Sequence, residues 1–211
     1  MNKNLVVVFD FDGTIADSAQ ATIGIFDQLS KEFNLGKSGR YLFDIYREKG
    51  ARELVKELKI PLRKLPTLLK RYREESARII KDLKPIRQVD GMLEKLKNEG
   101  FALGILTSNS GENVGKFIEK NKLFFFDFIY SEGSFFGKDK VIKKMLKNQH
   151  LDSKQTIYVG DEARDIDAAR KAGIKVIAAT WGFNSDEILK KSNPDYLVNN
   201  PKELVEIVKK F

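Results

Sequence analysis

The sequence predicts an α/β protein, in which helices cover both faces of a doubly wound parallel sheet and a small helical bundle is inserted after the first strand. Three observations lead to this prediction. A continuous apolar run, Leu5 to Phe9, is typical of a buried strand. Residues 17–84 then show only helical periodicity. From Val89 onward helix and strand patterns alternate, which favours a mostly parallel sheet.

The first predicted strand ends in two acidic residues, Asp10 and Asp12, which are followed by Gly13. Side chains two residues apart in a strand point the same way, so these carboxylates repel each other unless a positive group lies between them. A hard divalent cation such as Mg²⁺ would satisfy their oxygens, and Gly13 allows a sharp turn directly afterwards. The simpler interpretation is a strand end with two solvated aspartates.

The inserted segment predicts three helices: one with apolar residues recurring from Ile23 to Phe33, one from about Leu42 to Lys59, and one from Leu65 to about Leu83. Gly50 interrupts the second helix and predicts a bend or a loop there. Lys84-Pro85 predicts an extended hinge. We therefore expect a helical domain at residues 17–84, and a core domain formed by residues 1–16 and 85–211.

The remainder of the chain predicts alternating elements. Strands are expected at residues 101–106, 127–130, 156–159, 174–179 and 196–198, and helices at 91–99, 112–121, 138–149, 163–172, 186–191 and 201–210. In a parallel sheet, ligands bind beyond the carboxyl ends of the strands. The candidate site residues should therefore meet at that edge.

Composition excludes several classes of protein. The 211 residues include no cysteine, so disulfides and thiolate metal sites are absent. Neither a signal peptide nor an apolar run of about 20 residues is visible, which predicts a cytoplasmic protein without a membrane span. The net charge of +8 is concentrated in residues 17–84, with 16 Lys and Arg against 10 Asp and Glu. That segment could attract a small anion or nucleic acid, but a solvated lysine-rich surface is favoured, because aromatic residues are not interleaved with the basic ones.

Polar residues follow two more of the predicted strands. Thr107-Ser108-Asn109 could cradle a phosphate through hydroxyl and backbone N–H groups, although such residues more often form a turn or a helix cap. A further strand ends at Gly160 and is followed by Asp161 and Asp165. Lys138, after Phe135-Phe136-Gly137, starts a helix, where the helix dipole does not favour a cation, and this predicts an anionic partner. Lys140 is its rival.

These segments resemble the haloacid dehalogenase (HAD) superfamily. Asp10-Phe-Asp12-Gly-Thr resembles its first motif, Thr107 its second, Lys138 its third, and Gly160-Asp161 with Asp165 its fourth. The resemblance covers essentially the whole chain and is closest to phosphoglycolate-phosphatase-like members. It implies a Rossmann-like core with a C1-type helical cap, and a phosphatase that acts on a small phosphorylated metabolite.

The resemblance also implies roles for residues. Asp10 would be the nucleophile that forms an aspartyl-phosphate, and Asp12 the general acid and base. Mg²⁺ would be held by Asp10, Asp12 and Asp161. Lys138, Thr107 and Ser108 would bind the phosphate, Asp165 would support the ligands or orient Lys138, and Glu162 would not be a ligand. Arg52, beside the break at Gly50, would contact the substrate's leaving group; its alternative is a surface ion pair with Glu48.

Two other functions remain open from the sequence. One is a phosphomutase of the same fold, similar to β-phosphoglucomutase, which returns the phosphoryl group to a sugar. The other is a non-catalytic protein that binds a phosphorylated ligand or nucleic acid through its basic segment; intact Asp10, Asp12, Lys138 and Asp161 argue against it, and nucleic acid is not the expected partner. The oligomeric state, monomer or homodimer, is not predicted.

Overall fold

The computed structural model describes residues 5–132 and 137–211, so the first four residues of the predicted core segment 1–16, and Phe135-Phe136 before Lys138, lie outside it. Within these residues one sheet of parallel strands has the order β3-β2-β1-β4-β5-β6. The strands are β1 (Val6–Phe9), β2 (Ala102–Thr107), β3 (Phe128–Ser131), β4 (Thr156–Gly160), β5 (Lys175–Ala179) and β6 (Tyr196–Val198). The predicted parallel α/β sheet is therefore confirmed.

Helices cover both faces of this sheet. They are α1 (Ala19–Glu32), α2 (Gly39–Glu57), α3 (Leu65–Ile79), α4 (Val89–Asn98), α5 (Gly111–Asn121), α6 (Lys138–Asn148), α7 (Ala163–Ala172), α8 (Asp186–Lys191) and α9 (Pro201–Val208). Val7 and Phe9 of β1 pack with α4, α5 and α9, whereas Val6 and Val8 pack with α6, α7 and α8. The period of two in a strand thus gives β1 two buried faces, which explains its uninterrupted apolar sequence. Among the helices within residues 5–132 and 137–211, none is both long and apolar enough to cross a membrane.

Strand register aligns the carboxyl ends of β1, β2 and β4. Phe9 lies opposite Ile105 on one side and Val159 on the other. The backbone N–H of Asp10 donates to the carbonyl of Val159 at 2.8 Å. Strand order reverses at β1, and a crevice forms where chain connections leave a sheet in opposite directions. The residues that follow these three strands therefore line one crevice.

The inserted helices α1, α2 and α3 have an apolar cluster of their own, which includes Leu42, Tyr46 and Leu68 and is joined by Phe183 of the core. Gly50 has φ 80° and ψ 177°, so the predicted break within the second helix is confirmed.

The two ends of the inserted segment lie side by side: the N–H of Asp17 donates to the carbonyl of Lys84 at 2.9 Å, and Ala16 pairs with Pro85. Ile80, after α3, packs into the core instead of the inserted cluster. The segment therefore leaves and re-enters the core at one place.

Candidate active site

One pocket at the carboxyl edge of the sheet collects the residues that follow the central strands. Asp10 and Asp12 come from the turn after β1, Thr107 and Ser108 from the end of β2, and Lys138 from the first turn of α6. The pocket is lined by Asp10, Asp12, Leu106, Thr107, Ser108, Glu132, Lys138, Val141 and Arg164. Five of the predicted site residues thus share one pocket, and Arg52 is not among its lining residues.

Three buried carboxylates form a cluster beside this pocket. Asp10, Asp161 and Asp165 each offer an oxygen, and these oxygens lie within 4.8 Å of one another. The carboxylate of Asp12 is not part of this cluster. Its Oδ2 accepts a hydrogen bond from Nδ2 of Asn109 at 2.6 Å. The structure therefore groups Asp165, and not the side chain of Asp12, with Asp10 and Asp161.

Lys138 is the cation of this cluster. Its Nζ lies 3.1 Å from Oδ1 of Asp10 and 2.5 Å from Oδ1 of Asp165, and 5.1 Å from the ring centre of Tyr158. Burial opposes the charge on Lys138, but Asp10 and Asp165 more than offset this and raise its pKa. These carboxylates are anionic partners of the kind that a lysine at a helix start requires, whereas Lys140 is exposed.

The acidic side chains carry an electrostatic cost. Burial raises the pKa of Asp10 to about 7, against the opposing effect of Lys138. Burial also raises the pKa of Asp12 to about 6, although the hydrogen bond from Asn109 opposes it. The pKa of Asp161 is raised by burial and then by the nearby carboxylates, Glu162 first. The buried carboxylates in this site carry more negative charge than the nearby basic side chains neutralise. Their oxygen atoms therefore fit a hard divalent cation, which would supply the missing positive charge.

Asp161 is held by two loops that are distant in sequence. Its Oδ1 accepts a hydrogen bond from Oγ1 of Thr14 at 2.6 Å, and its Oδ2 accepts one from the N–H of Phe183 at 2.7 Å. One of these two loops contains Trp181 and Phe183. In the structure this loop packs and also fixes Asp161, as Nε1 of Trp181 donates to the carbonyl of Thr14 at 3.2 Å.

Asp165 joins the start of α7 to the cluster. Its Oδ2 accepts a hydrogen bond from the N–H of Glu162 at 3.1 Å, while its Oδ1 contacts Lys138. A carboxylate at the third helical position is typical of a capping box, and it also favours the positive end of the helix dipole. One side chain thus starts the helix and orients the lysine.

The sequence analysis named Glu162 only as a residue that is not a ligand, and it did not consider Arg164; the structure places both beside the site. Glu162 is only 2% exposed. Its Oε1 accepts from Nη2 of Arg164 at 2.7 Å, and its Oε2 accepts a hydrogen bond from the hydroxyl of Tyr46 in α2. In the sequence these are only two charged residues close to Asp161. Their contact with Tyr46 could not be inferred, because Tyr46 lies 116 positions from Glu162.

Arg52 lies farther out, in a cleft of about 210 Å³ between α2 and the starts of α6 and α7. Its side chain is exposed. The predicted alternative partner, Glu48, instead pairs with Arg47 at 3.7 Å. The charged residues of this outer cleft are Lys49, Arg52, Lys138, Arg164 and Lys171, with Asp139, Glu162 and Asp167. Basic side chains therefore outnumber acidic ones there.

Comparison with known proteins gives consistent results. The family model for haloacid dehalogenase-like hydrolases matches residues 7–179. A phosphoglycolate phosphatase of Synechococcus elongatus is 28% identical over 203 residues, covering 96% of each chain. A pyrophosphatase of Oceanobacillus iheyensis is 26% identical over 207 residues, covering 96% of this chain and 95% of the relative. A haloacid dehalogenase-like hydrolase structure from Streptococcus pneumoniae superposes with a TM-score of 0.81 at 25% identity, covering 99% of this chain and 100% of that one.

Proposed function

This chain belongs to the haloacid dehalogenase-like hydrolase family, and we propose that it is a Mg²⁺-dependent phosphatase that hydrolyses small phosphate monoesters. The observation that carries the proposal is the position of Asp10. Its buried carboxylate faces a pocket shared with Thr107 and Ser108 and lies 3.1 Å from Lys138. A nucleophile, a cation and hydroxyl donors around one pocket are the groups that phosphoryl transfer requires.

In the proposed reaction, a carboxylate oxygen of Asp10 attacks phosphorus while the bond to the leaving oxygen breaks. This gives an aspartyl-phosphate, which water then cleaves to release inorganic phosphate and restore Asp10. Attack requires the ionised carboxylate, which burial disfavours at this position. Lys138 opposes that effect, and Asp165 holds Lys138 in place.

Asp12 is the proposed general acid and base. It would protonate the leaving oxygen in the first step and take a proton from the attacking water in the second. Its pKa, raised by burial to about 6, suits both steps near neutral pH. The hydrogen bond from Asn109 supports this role by fixing the carboxylate at the pocket wall.

Asp10 and Asp161 are the proposed carboxylates that hold Mg²⁺; for Asp12 this role stays a prediction from the family resemblance, since its carboxylate lies outside the cluster. When bound, the ion would supply positive charge that stabilises the transferring phosphoryl group. Asp10 and Asp161 both belong to the buried carboxylate cluster, which supports their assignment. Thr107 and Ser108 would donate hydrogen bonds to phosphate oxygens, since both line the pocket of Asp10.

We further propose that residues 17–84 form a cap over a core of residues 1–16 and 85–211, and that Arg52 contacts the leaving group from the cap. The adjacent positions of Asp17 and Lys84 support a hinge there. Arg52 lines the outer cleft with Lys138, which supports its access to the substrate. A guanidinium group can bind a carboxylate or phosphate through two parallel hydrogen bonds.

Phosphate release from a panel of monoesters, with and without Mg²⁺, tests this function. The names of the relatives suggest including phosphoglycolate and the phosphoanhydride pyrophosphate, with p-nitrophenyl phosphate as an artificial ester whose leaving group carries no second anionic group. We expect Mg²⁺-dependent release from at least one compound, and trapping of phosphate on Asp10 after a rapid quench. Absence of release from every member would contradict the proposal.

Product analysis separates the phosphatase from the phosphomutase alternative. A phosphomutase would convert one sugar phosphate into its isomer with little free phosphate. If isomerisation of β-glucose 1-phosphate outpaced phosphate release, the hydrolase assignment would be replaced by the mutase. Binding of a phosphorylated ligand without turnover would instead favour the non-catalytic alternative.

A further inference from the structure

Three cavities meet at one side chain of this protein. The pocket lined by Asp10 and Asp12 (the catalytic pocket), the outer cleft and a small, mostly apolar cavity between the inserted helices and the core are all lined by Arg164. Of the described residues, only Lys138 and Arg164 line both the catalytic pocket and the outer cleft. A substrate whose phosphate lies at Asp10 must extend its leaving group into one of the neighbouring spaces. Arg164 lines the catalytic pocket and both of these neighbouring spaces, so it lies at the start of either path.

The outer cleft suits an anionic leaving group. Five basic residues line it against three acidic ones. Lys138, the other residue shared by both spaces, contacts Asp10 and therefore belongs to the phosphoryl end of the site. Arg52 lines the outer cleft but not the catalytic pocket, so it lies one step farther from the phosphorus. Arg164, which pairs with Glu162, is the other cation that lines both spaces.

Arg164 is also held in a defined place. Its Nη2 lies 2.7 Å from Oε1 of Glu162, and the second oxygen of Glu162 binds the hydroxyl of Tyr46 from the cap. Tyr46 is fixed in turn, because its ring packs against Phe183 at 5.9 Å between centroids and its carbonyl accepts from Nδ2 of Asn184 at 3.0 Å. A guanidinium with its position fixed loses little entropy on binding an anion.

We infer that Arg164, in addition to the more distant Arg52, selects the substrate by binding a carboxylate or phosphate carried on the leaving group. This inference rests on the proposed phosphatase function. Glu162 and Tyr46 act as positioning residues, since they set the orientation of Arg164 and connect it to the cap. The substrates selected would be short monoesters with a second anionic group close to the ester oxygen.

Matched esters test the assignment. Phosphoglycolate and ethyl phosphate share the P–O–CH₂ unit. Phosphoglycolate carries a carboxylate on this carbon, whereas ethyl phosphate carries a methyl group. Ethylene glycol bisphosphate carries a phosphate at the corresponding end and distinguishes the two kinds of anion. The measured quantity is kcat/KM for each anionic ester divided by kcat/KM for ethyl phosphate. We expect this ratio to exceed 1 in the wild type, and Arg164→Met to lower it about 10- to 100-fold for the selected anion, the range that a hydrogen bond to a charged group supports.

Control variants separate selection from folding. Arg164→Met leaves the buried Glu162 without its ion pair, which can destabilise the protein. The double variant Arg164→Met with Glu162→Gln removes both charges and should show the same loss of selectivity. Arg170→Met makes the same substitution near the other end of α7, where Nη2 donates to the carbonyls of Ser192 and Asn193; its ratio should equal that of the wild type. Tyr46→Phe should raise KM for the anionic ester more than it changes kcat.

Each outcome bears on the assignment. A wild-type ratio near 1, an unchanged ratio in both Arg164 variants, or a ratio that falls only in Arg52→Ala would overturn it. An equal loss on all three esters would also overturn it, because Arg164 would then act on the phosphoryl group. Wild-type turnover of ethyl phosphate upholds the phosphatase function even if the assignment fails, whereas a wild type inactive on every ester removes both.

Discussion

Among single residues, Asp10 is ionised or protonated according to its neighbours. Burial and Asp165 favour the protonated form, and Lys138 favours the carboxylate. Asp165 therefore has two opposite effects on the pKa of Asp10. Its charge repels the carboxylate form of Asp10, but it also holds Lys138, which stabilises that form. The balance makes the reactivity of one carboxylate depend on two side chains from different helices.

Substituting Asp10 by Asn should abolish phosphate release while leaving the fold intact. The amide cannot attack phosphorus, and it is a poorer ligand for a hard cation. We expect a loss of more than about a hundredfold, the lower end of the effect of removing one catalytic group. Phosphate release measures the rate, and circular dichroism provides the folding control. A variant that kept more than about a hundredth of the activity would remove Asp10 from the nucleophile role.

Thr14→Val should weaken the support of Asp161. It removes the hydroxyl that donates to Oδ1 of this fully buried carboxylate but nearly preserves the volume of the side chain. The expected cost is about 1–3 kcal/mol of unfolding free energy, together with a higher Mg²⁺ requirement. Urea denaturation and Mg²⁺ titration of activity measure the two effects. Thr14→Ser keeps the hydroxyl, so a similar loss in both variants would contradict the hydrogen-bond explanation.

At the scale of structural elements, the site depends on turns that approach one another closely. Gly13, after β1, has φ 76°, and a Cβ placed there would collide with the carboxylate of Asp161. A Cβ on Gly182, after β5, would collide with the same side chain. These two positions must lack a side chain because both turns approach Asp161 closely there, from two sides. The glycines therefore position an acid that is supplied by a third element.

Gly13→Ala should destabilise the protein and reduce activity, because alanine is strained at positive φ and its Cβ displaces Asp161. Gly24→Ala is the matched control, since Gly24 is exposed in α1 and a Cβ there meets nothing within 4 Å. Helix propensity predicts that the control gains about 0.5–1 kcal/mol of stability. Thermal unfolding and phosphate release measure both variants. Equal stability of the two proteins would argue against the close approach at Asp161.

At the scale of the whole molecule, the inserted helices and the core meet above the pocket. The hydroxyl of Tyr46 binds Glu162, the N–H of Ser185 donates to the carbonyl of Arg47 at 3.0 Å, and the ring of Phe43 lies 5.8 Å from that of Phe183. The inserted helices therefore contact the core through the segment after β4 and the loop after β5. These same segments carry or hold Asp161.

Removal of divalent cations should affect both activity and stability of the whole protein. We expect EDTA to abolish phosphate release and Mg²⁺ to restore it. Mg²⁺ at about 100 times its Kd stabilises the state that binds it by about 2.7 kcal/mol, which for a chain of this size raises Tm by about 5–10 °C. Asp161→Asn should lose this Mg²⁺-dependent shift. Full turnover by protein shown to be metal-free would refute the metal requirement.

The sequence by itself determined the α/β fold, the order of the elements and the set Asp10, Asp12, Thr107, Lys138 and Asp161 as candidates. These inferences succeed because buried strands have recognisable apolar runs, and because residues that follow parallel strands converge at one edge whatever their separation in sequence. The parallel sheet is confirmed, and the structure brings the candidates to that edge. Their chemical roles stay predictions.

Only the tertiary structure decided which side chains support and surround those residues. Thr14 and Phe183 reach Asp161 from loops that are far apart in sequence, and Tyr46 reaches Glu162 from the inserted helices. Such contacts depend on how helices pack on a sheet and on the angle at which the cap meets the core, and no local periodicity encodes either. The sequence singled out Arg52 because it lies beside Gly50. Packing placed Arg164 where the cavities meet, because α7 starts at the edge of the sheet where the neighbouring strands β1 and β4 end.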